Sequence, residues 1–398
     1  MYPQMNLRII LYVLGLCAAI VSLAQNLYVP LLPQLQHDLH TSFYLVNLTV
    51  SLFTIALAVM QIILGPVIDH KGRKAVLLPG MILYAAASLG CTFSGTVYML
   101  LFFRVLQGIG AAAVPLVAAT MIGDLFEGKE RAKGMSTYQM ILGIAPAVGP
   151  LIGGIIGSYA GYPGAFMFLS IMAVAMLLIA AVFLPETRPA GVRRQGFQVR
   201  FFAQIVKNNT GAAVILVGFI LYYMFYNFIV FLPDVLTEHY HLDAGQIGAV
   251  FLMLMSFSFI GSKISGRIQV RMGTVKSLIF TCTLALFSLL LFILVAEAFL
   301  IGLLVSLATV GFTAGLTMSV PPTLLTQEFA SERATALGVY NFVRYLGMAA
   351  APLFGSLLYQ EGGFFLLFGC TACLMGIMIV VTRLFLKSKG SSSNQIQA

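Results

Sequence analysis

Arg104 and Arg344 carry the most chemical consequence in this chain, because each stands inside a long apolar run. A charge at such depth costs at least ~2.5 kcal/mol on insertion scales and needs an anion, backbone carbonyls or water where no acid faces it. Gln107 and Ala111 share the face of Arg104, one and two turns on. Arg344 lies about twelve residues into a stretch of roughly 28, near the middle of a helix rising ~1.5 Å per residue. Lys263 stands nearer the end of its run. The acids collect at the ends of runs, and Asp234 is the acid nearest to one. With no facing acid, Arg344 makes its surroundings electropositive, which favours neutral, zwitterionic or anionic compounds over lipophilic cations. The competing reading is a packing arginine bonded to helix ends, and spacing leaves both open.

Polar residues at helical spacing form further stripes: Ser22, Gln25 and Asn26; Tyr223, Tyr226 and Asn227; Asn341, Arg344 and Tyr345; Thr309, Thr313 and Thr317. Such stripes either contact a polar ligand or bond helix to helix. Tyr222 and Phe225 fall off their stripe and are read as lipid-facing. Enzyme chemistry finds little support. The chain has no His-Glu-x-x-His, no Gly-x-Ser-x-Gly and no Gly-x-x-x-x-Gly-Lys-Ser/Thr. An intramembrane enzyme remains as a remote alternative, and no cofactor or metal is expected. Cys370 and Cys373 have redox-motif spacing but read as small residues on an apolar helix, so no disulfide framework is implied.

The elements that position these residues follow from composition. Of 398 residues 60% are hydrophobic and 9% charged, against roughly 25% charged in soluble domains. The chain is therefore read as an all-α integral membrane protein. Its basic residues are scattered among apolar runs, so the net charge of +9 does not point to nucleic acid. Twelve spans are expected, at 8–33, 43–67, 74–94, 97–123, 132–158, 163–184, 211–234, 244–268, 275–295, 298–325, 332–359 and 363–386. The N-terminus imitates a signal peptide, with Arg8 before an apolar core and Ser22-Leu23-Ala24 after it. Cleavage there would leave one repeat a helix short, so the stretch is read as the first span. None of the 22 Lys and Arg falls in a connection assigned outside, which places both termini in the cytoplasm of a cell with an inner (plasma) membrane. The expected division is a first six-helix bundle at 1–184, a basic cytoplasmic linker at 185–210, a second bundle at 211–386 and a disordered tail at 387–398. A short helix on the membrane surface is expected from Arg200 to Val206.

The two bundles repeat. Glu130-Arg131-Ala132 matches Glu332-Arg333-Ala334, Tyr138-Gln139 matches Tyr340-Asn341, and Pro150, Leu151 and Gly153 match Pro352, Leu353 and Gly355, all at one offset. The run Gly65-Pro66-Val67-Ile68-Asp69-His70-Lys71-Gly72-Arg73-Lys74 has a worn copy in which Gly266, Val270 and Gly273 replace Gly65, Asp69 and Gly72. With its glycines and clustered bases it reads as a tight cytoplasmic turn.

That turn resembles the signature loop of the major facilitator superfamily. Three more stretches resemble motifs of its twelve-span drug–proton antiporter branch, the multidrug efflux type. They are Leu100-x-x-x-Arg104-x-x-Gln107-Gly108-x-Gly110-Ala111-Ala112, Gly149-Pro150-Leu151-Ile152-Gly153-Gly154 and Leu184-Pro185-Glu186-Thr187. The resemblance covers essentially the whole chain. It implies two pseudo-symmetric six-helix bundles and secondary active export of drugs or small amphipathic metabolites by alternating access. Coupling to protons in a lipid bilayer, by a monomer, is also implied. An uptake symporter or facilitator for a small metabolite is the alternative within the fold. By the same resemblance Gln25, Asn26, Tyr138, Tyr223, Tyr226, Asn227, Asn341, Arg344 and Tyr345 contact substrate. Asp69, Arg73, Arg104, Gln107, Gly149, Pro150 and Asp234 serve gating or coupling. Asp69 is expected to latch against the helix that starts after Ser331. Arg104 is expected to be a structural or proton-handling arginine, or else one bonded to nearby carbonyls. Many relatives carry an acid on the first helix. Here that place reads Gln25-Asn26-Leu27-Tyr28-Val29-Pro30, which puts the usual proton carrier in doubt.

Overall fold

Backbone polar groups in lipid must be satisfied within each helix. The computed structural model consists of helices and turns, with no strand among the residues described, 7–126, 128–187, 199–329 and 333–393. In chain order the helices are α1 (Leu7–Asn26), α2 (Leu32–Asp38), α3 (Phe43–Lys71), α4 (Arg73–Thr92), α5 (Val97–Ala111), α6 (Ala113–Leu125) and α7 (Gly128–Phe183). There follow α8 (Val199–Lys207), α9 (Asn209–Glu238), α10 (Ala244–Met272), α11 (Thr274–Val295), α12 (Leu300–Met318), α13 (Val320–Glu328) and α14 (Arg333–Ser393). Among the described residues ten helical runs are long and apolar enough to cross a membrane. Two of them are interrupted by non-helical glycines, α7 at Gly161 and α14 at Gly362 and Gly363. With two arms in each, the runs are consistent with twelve spans.

Three expected spans are each split in two, for one physical reason. α1 ends at Asn26, α5 at Ala111 and α12 at Met318. Each lies four residues before a proline, Pro30, Pro115 and Pro322, which has no N–H to bond back to that carbonyl. Pro79, Pro233 and Pro352 sit inside helices that continue. The basic run also differs from the expected loop. α3 continues through Lys71, where His70 and Lys71 suit the negative end of the helix. The reversal is made by Gly72 alone, at φ 107° and ψ 160°. Its counterpart Gly273, at φ 79° and ψ 154°, makes the same one-residue connection between α10 and α11.

The chain divides into two compact units, Met1–Phe197 with Leu242–Ala249, and Gln198–His241 with Val250–Ala398. In the first, α1 packs on α7, and α4 on both α5 and α7. In the second, α9 packs on α14 and α11 on α12. Of the described runs α9 has the largest buried share of its apolar window, 78%. This corrects the lipid-facing reading of two residues: Phe225 is buried, and Tyr222 is half-buried and bonded to Arg344 of the same unit. α8 occupies the stretch expected as a surface helix, with Ile205 buried and Lys207 exposed. α14 stays helical to Ser393, beyond the boundary expected at 386.

Candidate functional site

The Gly72 turn is fastened from a distance. α4 has no side chain of its own to cap it, since its first flanking residue is glycine. The carboxylate of Glu186 does this instead, accepting from the backbone N–H of Arg73 at 2.8 Å and of Lys74 at 3.0 Å. A negative group at the positive end of a helix is favoured electrostatically. The carboxylate also fills the space a Cβ at residue 72 would need, 2.6 Å away. Arg73 Nε donates to Asp124 Oδ2 at 2.8 Å, and Thr187 Oγ1 donates to the same oxygen at 3.0 Å. Lys74 Nζ donates to the Ala181 carbonyl at 2.6 Å. Arg73 thus belongs to a cluster joining α4, α6 and the exit of α7. The side chain of Asp69 and all of Ser331, the expected latch, lie outside the described residues.

Arg104 is fully buried. Its Nε donates to the Thr49 carbonyl at 3.2 Å. Nη1 donates to the Ala24 carbonyl at 3.2 Å and to Gln107 Oε1 at 2.6 Å, and Nη2 to the Tyr28 hydroxyl at 3.2 Å. The rings of Tyr28 and Phe53 flank it with centroids at 4.6 and 4.1 Å. Gln107 Nε2 in turn donates to Ser88 Oγ at 2.7 Å. Gln107, on the same face as Arg104, bonds to it, and the two together tie α5 to α1, α3 and α4. No carboxylate appears among these partners.

Gln25 and Asn26 are buried at the end of α1. Asn26 Nδ2 returns to the Ser22 carbonyl at 3.2 Å, and Gln25 Nε2 has no partner. α7 passes close to them. A Cβ at Gly149 would meet Leu23 Cδ2 at 3.2 Å, one at Gly157 would strike the Leu31 side chain, and one at Gly153 would collide with the Leu27 carbonyl. Pro150 and Tyr138 are buried on the same arm of α7.

In the second unit the sites separate. Arg344 is half-buried, with Nη1 donating to the Tyr222 hydroxyl at 3.4 Å and Nη2 to that of Tyr345 at 3.5 Å. Its Nε and the Tyr340 hydroxyl are buried without partners. Asn341 is half-buried one turn before Tyr345. Asn227 Nδ2 donates instead to Thr371 Oγ1 at 3.2 Å, on the second arm of α14. Tyr223 and Tyr226 are buried on α9. Asp234 is the one buried carboxylate among the described residues, and Tyr359 donates to its Oδ2 at 2.7 Å. The threonine stripe of α12 is taken up by helix bonds: Thr309, Thr313 and Thr317 donate to the carbonyls of Ser306, Thr309 and Thr313, and Thr313 also pairs with Ser288 of α11 at 2.7 Å. Sequence reasoning placed Tyr222 toward lipid, and it missed Tyr359, Asp124 and the cap by Glu186. Only Glu186 had a signal, as part of the sixth-helix exit.

Lipid-length helices in two repeating halves, with a buried arginine held among helices of the first by carbonyls, an amide and a hydroxyl, define an integral membrane protein. The chain belongs to the Major Facilitator Superfamily, whose sequence profile matches residues 14–352 and 214–398. It is 27% identical over 359 residues to the uncharacterized MFS-type transporter YdgK of Bacillus subtilis (strain 168), covering 86% of this chain and 88% of that one. It is 25% identical over 405 residues to Multidrug resistance protein D of Escherichia coli (strain K12), covering 99% and 100%. Its fold is that of a bacterial homologue of the human lysosomal transporter Spinster, solved in an inward-facing and occupied conformation. The TM-score there is 0.79 at 15% identity, over 95% of this chain and 96% of that one. The protein is a multi-pass membrane transporter with a small-molecule substrate, and not an enzyme.

Proposed function

We propose that the protein is a proton-coupled exporter of drugs or small amphipathic metabolites, working as a monomer by alternating access in the inner (plasma) membrane. The observation that carries this reading is the end-to-end likeness to Multidrug resistance protein D. The test is transport of cationic, neutral and anionic compounds into inverted vesicles, with and without a protonophore. Accumulation that collapses with the protonophore is expected. Transport indifferent to the gradient would mark a facilitator and remove the exporter reading.

In this reading Asp234 carries the proton. Supporting it are the burial of its carboxylate, its single donor Tyr359, and the absence of any cation paired with it among the described residues. Glu238 lies one turn on. A carboxylate so placed can gain and lose a proton without breaking an ion pair. Asp234→Asn should abolish gradient-driven accumulation while counterflow exchange stays within about twofold, since the amide keeps the shape and a bond to Tyr359 but cannot ionise. Undiminished gradient-driven transport by this variant would remove Asp234 from coupling.

The one-sided distribution of Lys and Arg supports cytoplasmic termini, and Asp69 is assigned to holding the cytoplasmic gate shut. Single cysteines near Lys207 should react with a membrane-impermeant reagent from the cytoplasmic side alone. Cysteines lining the cytoplasmic entrance should react faster in Asp69→Asn. Equal rates with and without that change, at full transport, would end the gating role.

A further inference from the structure

Arg104 and Arg344 both lie well inside spans, away from their ends, and they are satisfied very differently. Arg104 has bonds of 2.6–3.2 Å from all three of its nitrogens and is closed off from solvent. This is how an arginine that ties helices together looks. Arg344 reaches its two tyrosine hydroxyls at 3.4 and 3.5 Å, the outer limit of hydrogen bonding. Its Nε has no acceptor, and no carboxylate pairs with it among the described residues. The Tyr340 hydroxyl, one turn back on the same face, is likewise buried and unpartnered. The rings of Tyr222 and Tyr345 stand beside the guanidinium, with centroids at 5.4 and 5.0 Å. A buried donor without an acceptor is costly, and two of them next to one half-buried cation mark a seat for an acceptor that arrives from outside the chain.

We propose that Arg344, with Tyr340, Tyr222 and Tyr345, is the recognition site for the carboxylate of an aromatic organic anion. The proposal rests on the exporter reading and deepens it by naming the substrate class. A planar carboxylate accepts two parallel N–H bonds from a guanidinium, a geometry that a neutral acceptor does not match. The tyrosine rings supply apolar faces for the aromatic body. Among the described residues no carboxylate pairs with Arg344, and its charge repels a cation. Lys263, another base inside a span, lies against the ring of Phe259 at 4.5 Å.

The test uses the full chain in proteoliposomes with an imposed proton gradient, and two probes: fluorescein, an aromatic carboxylate, and tetraphenylphosphonium, a permanent cation. The wild type should move fluorescein in preference to tetraphenylphosphonium. Arg344→Ala should lower fluorescein transport roughly ten- to a hundredfold, as loss of a charged hydrogen-bonded contact does. Arg344→Lys should restore part of it, because the charge returns without the fork. Tyr340→Phe keeps the ring and its packing, so it guards against a variant that merely fails to fold. It should weaken fluorescein binding, read by anisotropy on purified protein, several-fold at an unchanged melting temperature. Fluorescein transport untouched by Arg344→Ala would overturn the proposal. Gradient-driven transport of tetraphenylphosphonium without fluorescein would overturn it and leave the exporter reading standing. Transport of neither would remove both.

Discussion

Arg104→Ala should leave a protein that no longer transports and that melts well below the wild type. Four groups lose a donor: the carbonyls of Ala24 and Thr49, Gln107 Oε1 and the Tyr28 hydroxyl. At about 1 kcal/mol each for buried acceptors, the loss is of the order of 3–4 kcal/mol before the cavity is counted. The opposing term is the cost of burying a guanidinium, which removal would recover. Here the bonded term wins, because the charge is already shared among four acceptors and two ring faces, and because the side chain joins α5 directly to α1 and α3, and through Gln107 to α4. Arg104→Lys should also fail, retaining less than about a tenth of transport, since an ammonium has no planar fork to reach α1, α3 and Gln107 together. Thermal melting in detergent, alongside vesicle transport, decides the matter. Wild-type melting and transport in Arg104→Ala would show that the network holds nothing.

The second large effect is expected at Gly153. The α7 backbone passes so close to α1 there that an added methyl meets the Leu27 carbonyl, a backbone atom that cannot turn aside. Gly153→Ala should force the helices apart and cost roughly 1–3 kcal/mol of packing, with at least a tenfold fall in transport. Gly157→Ala meets the flexible side chain of Leu31 and should be milder. Gly149→Ala, whose nearest neighbour is a methyl of Leu23 at 3.2 Å, should be milder still in stability. The order matters more than the values. A Gly149→Ala protein that melts normally but has lost transport would show that this stretch of α7 acts in gating as well as packing. Equal tolerance at all three positions would refute the close approach.

What the sequence disclosed, and what it hid, divide by distance along the chain. The shared face of Arg104 and Gln107 was readable because three residues is one helical turn. The duplication was readable because matching residues recur at one offset. The split of three spans had its signal in Pro30, Pro115 and Pro322, yet prolines inside α4, α9 and α14 carry the same signal without effect, so neighbouring helices decide the outcome. The cap on α4 comes from Glu186, 113 residues on, and the Arg73 partner Asp124 is 51 residues on. No periodicity links such residues. Tyr222 was misjudged because its partner Arg344 lies 122 residues on, beyond the reach of face-counting. Asn227 sat on a promising stripe but spends its donor on Thr371.

The unpaired arginines also bear on the protein's electrical behaviour. A guanidinium with no acid beside it is a net charge within the membrane field, where a full crossing is worth ~2.3 kcal/mol per 100 mV. If a transport cycle shifts Arg104 across even a tenth of that field, about 0.2 kcal/mol of membrane voltage enters the balance between its states. Arg344 differs in one respect: an anion seated on it cancels its charge, so the loaded and empty protein would answer to voltage differently. Substrate binding would then be visible as a change in the capacitive current of the membrane, before any molecule has crossed.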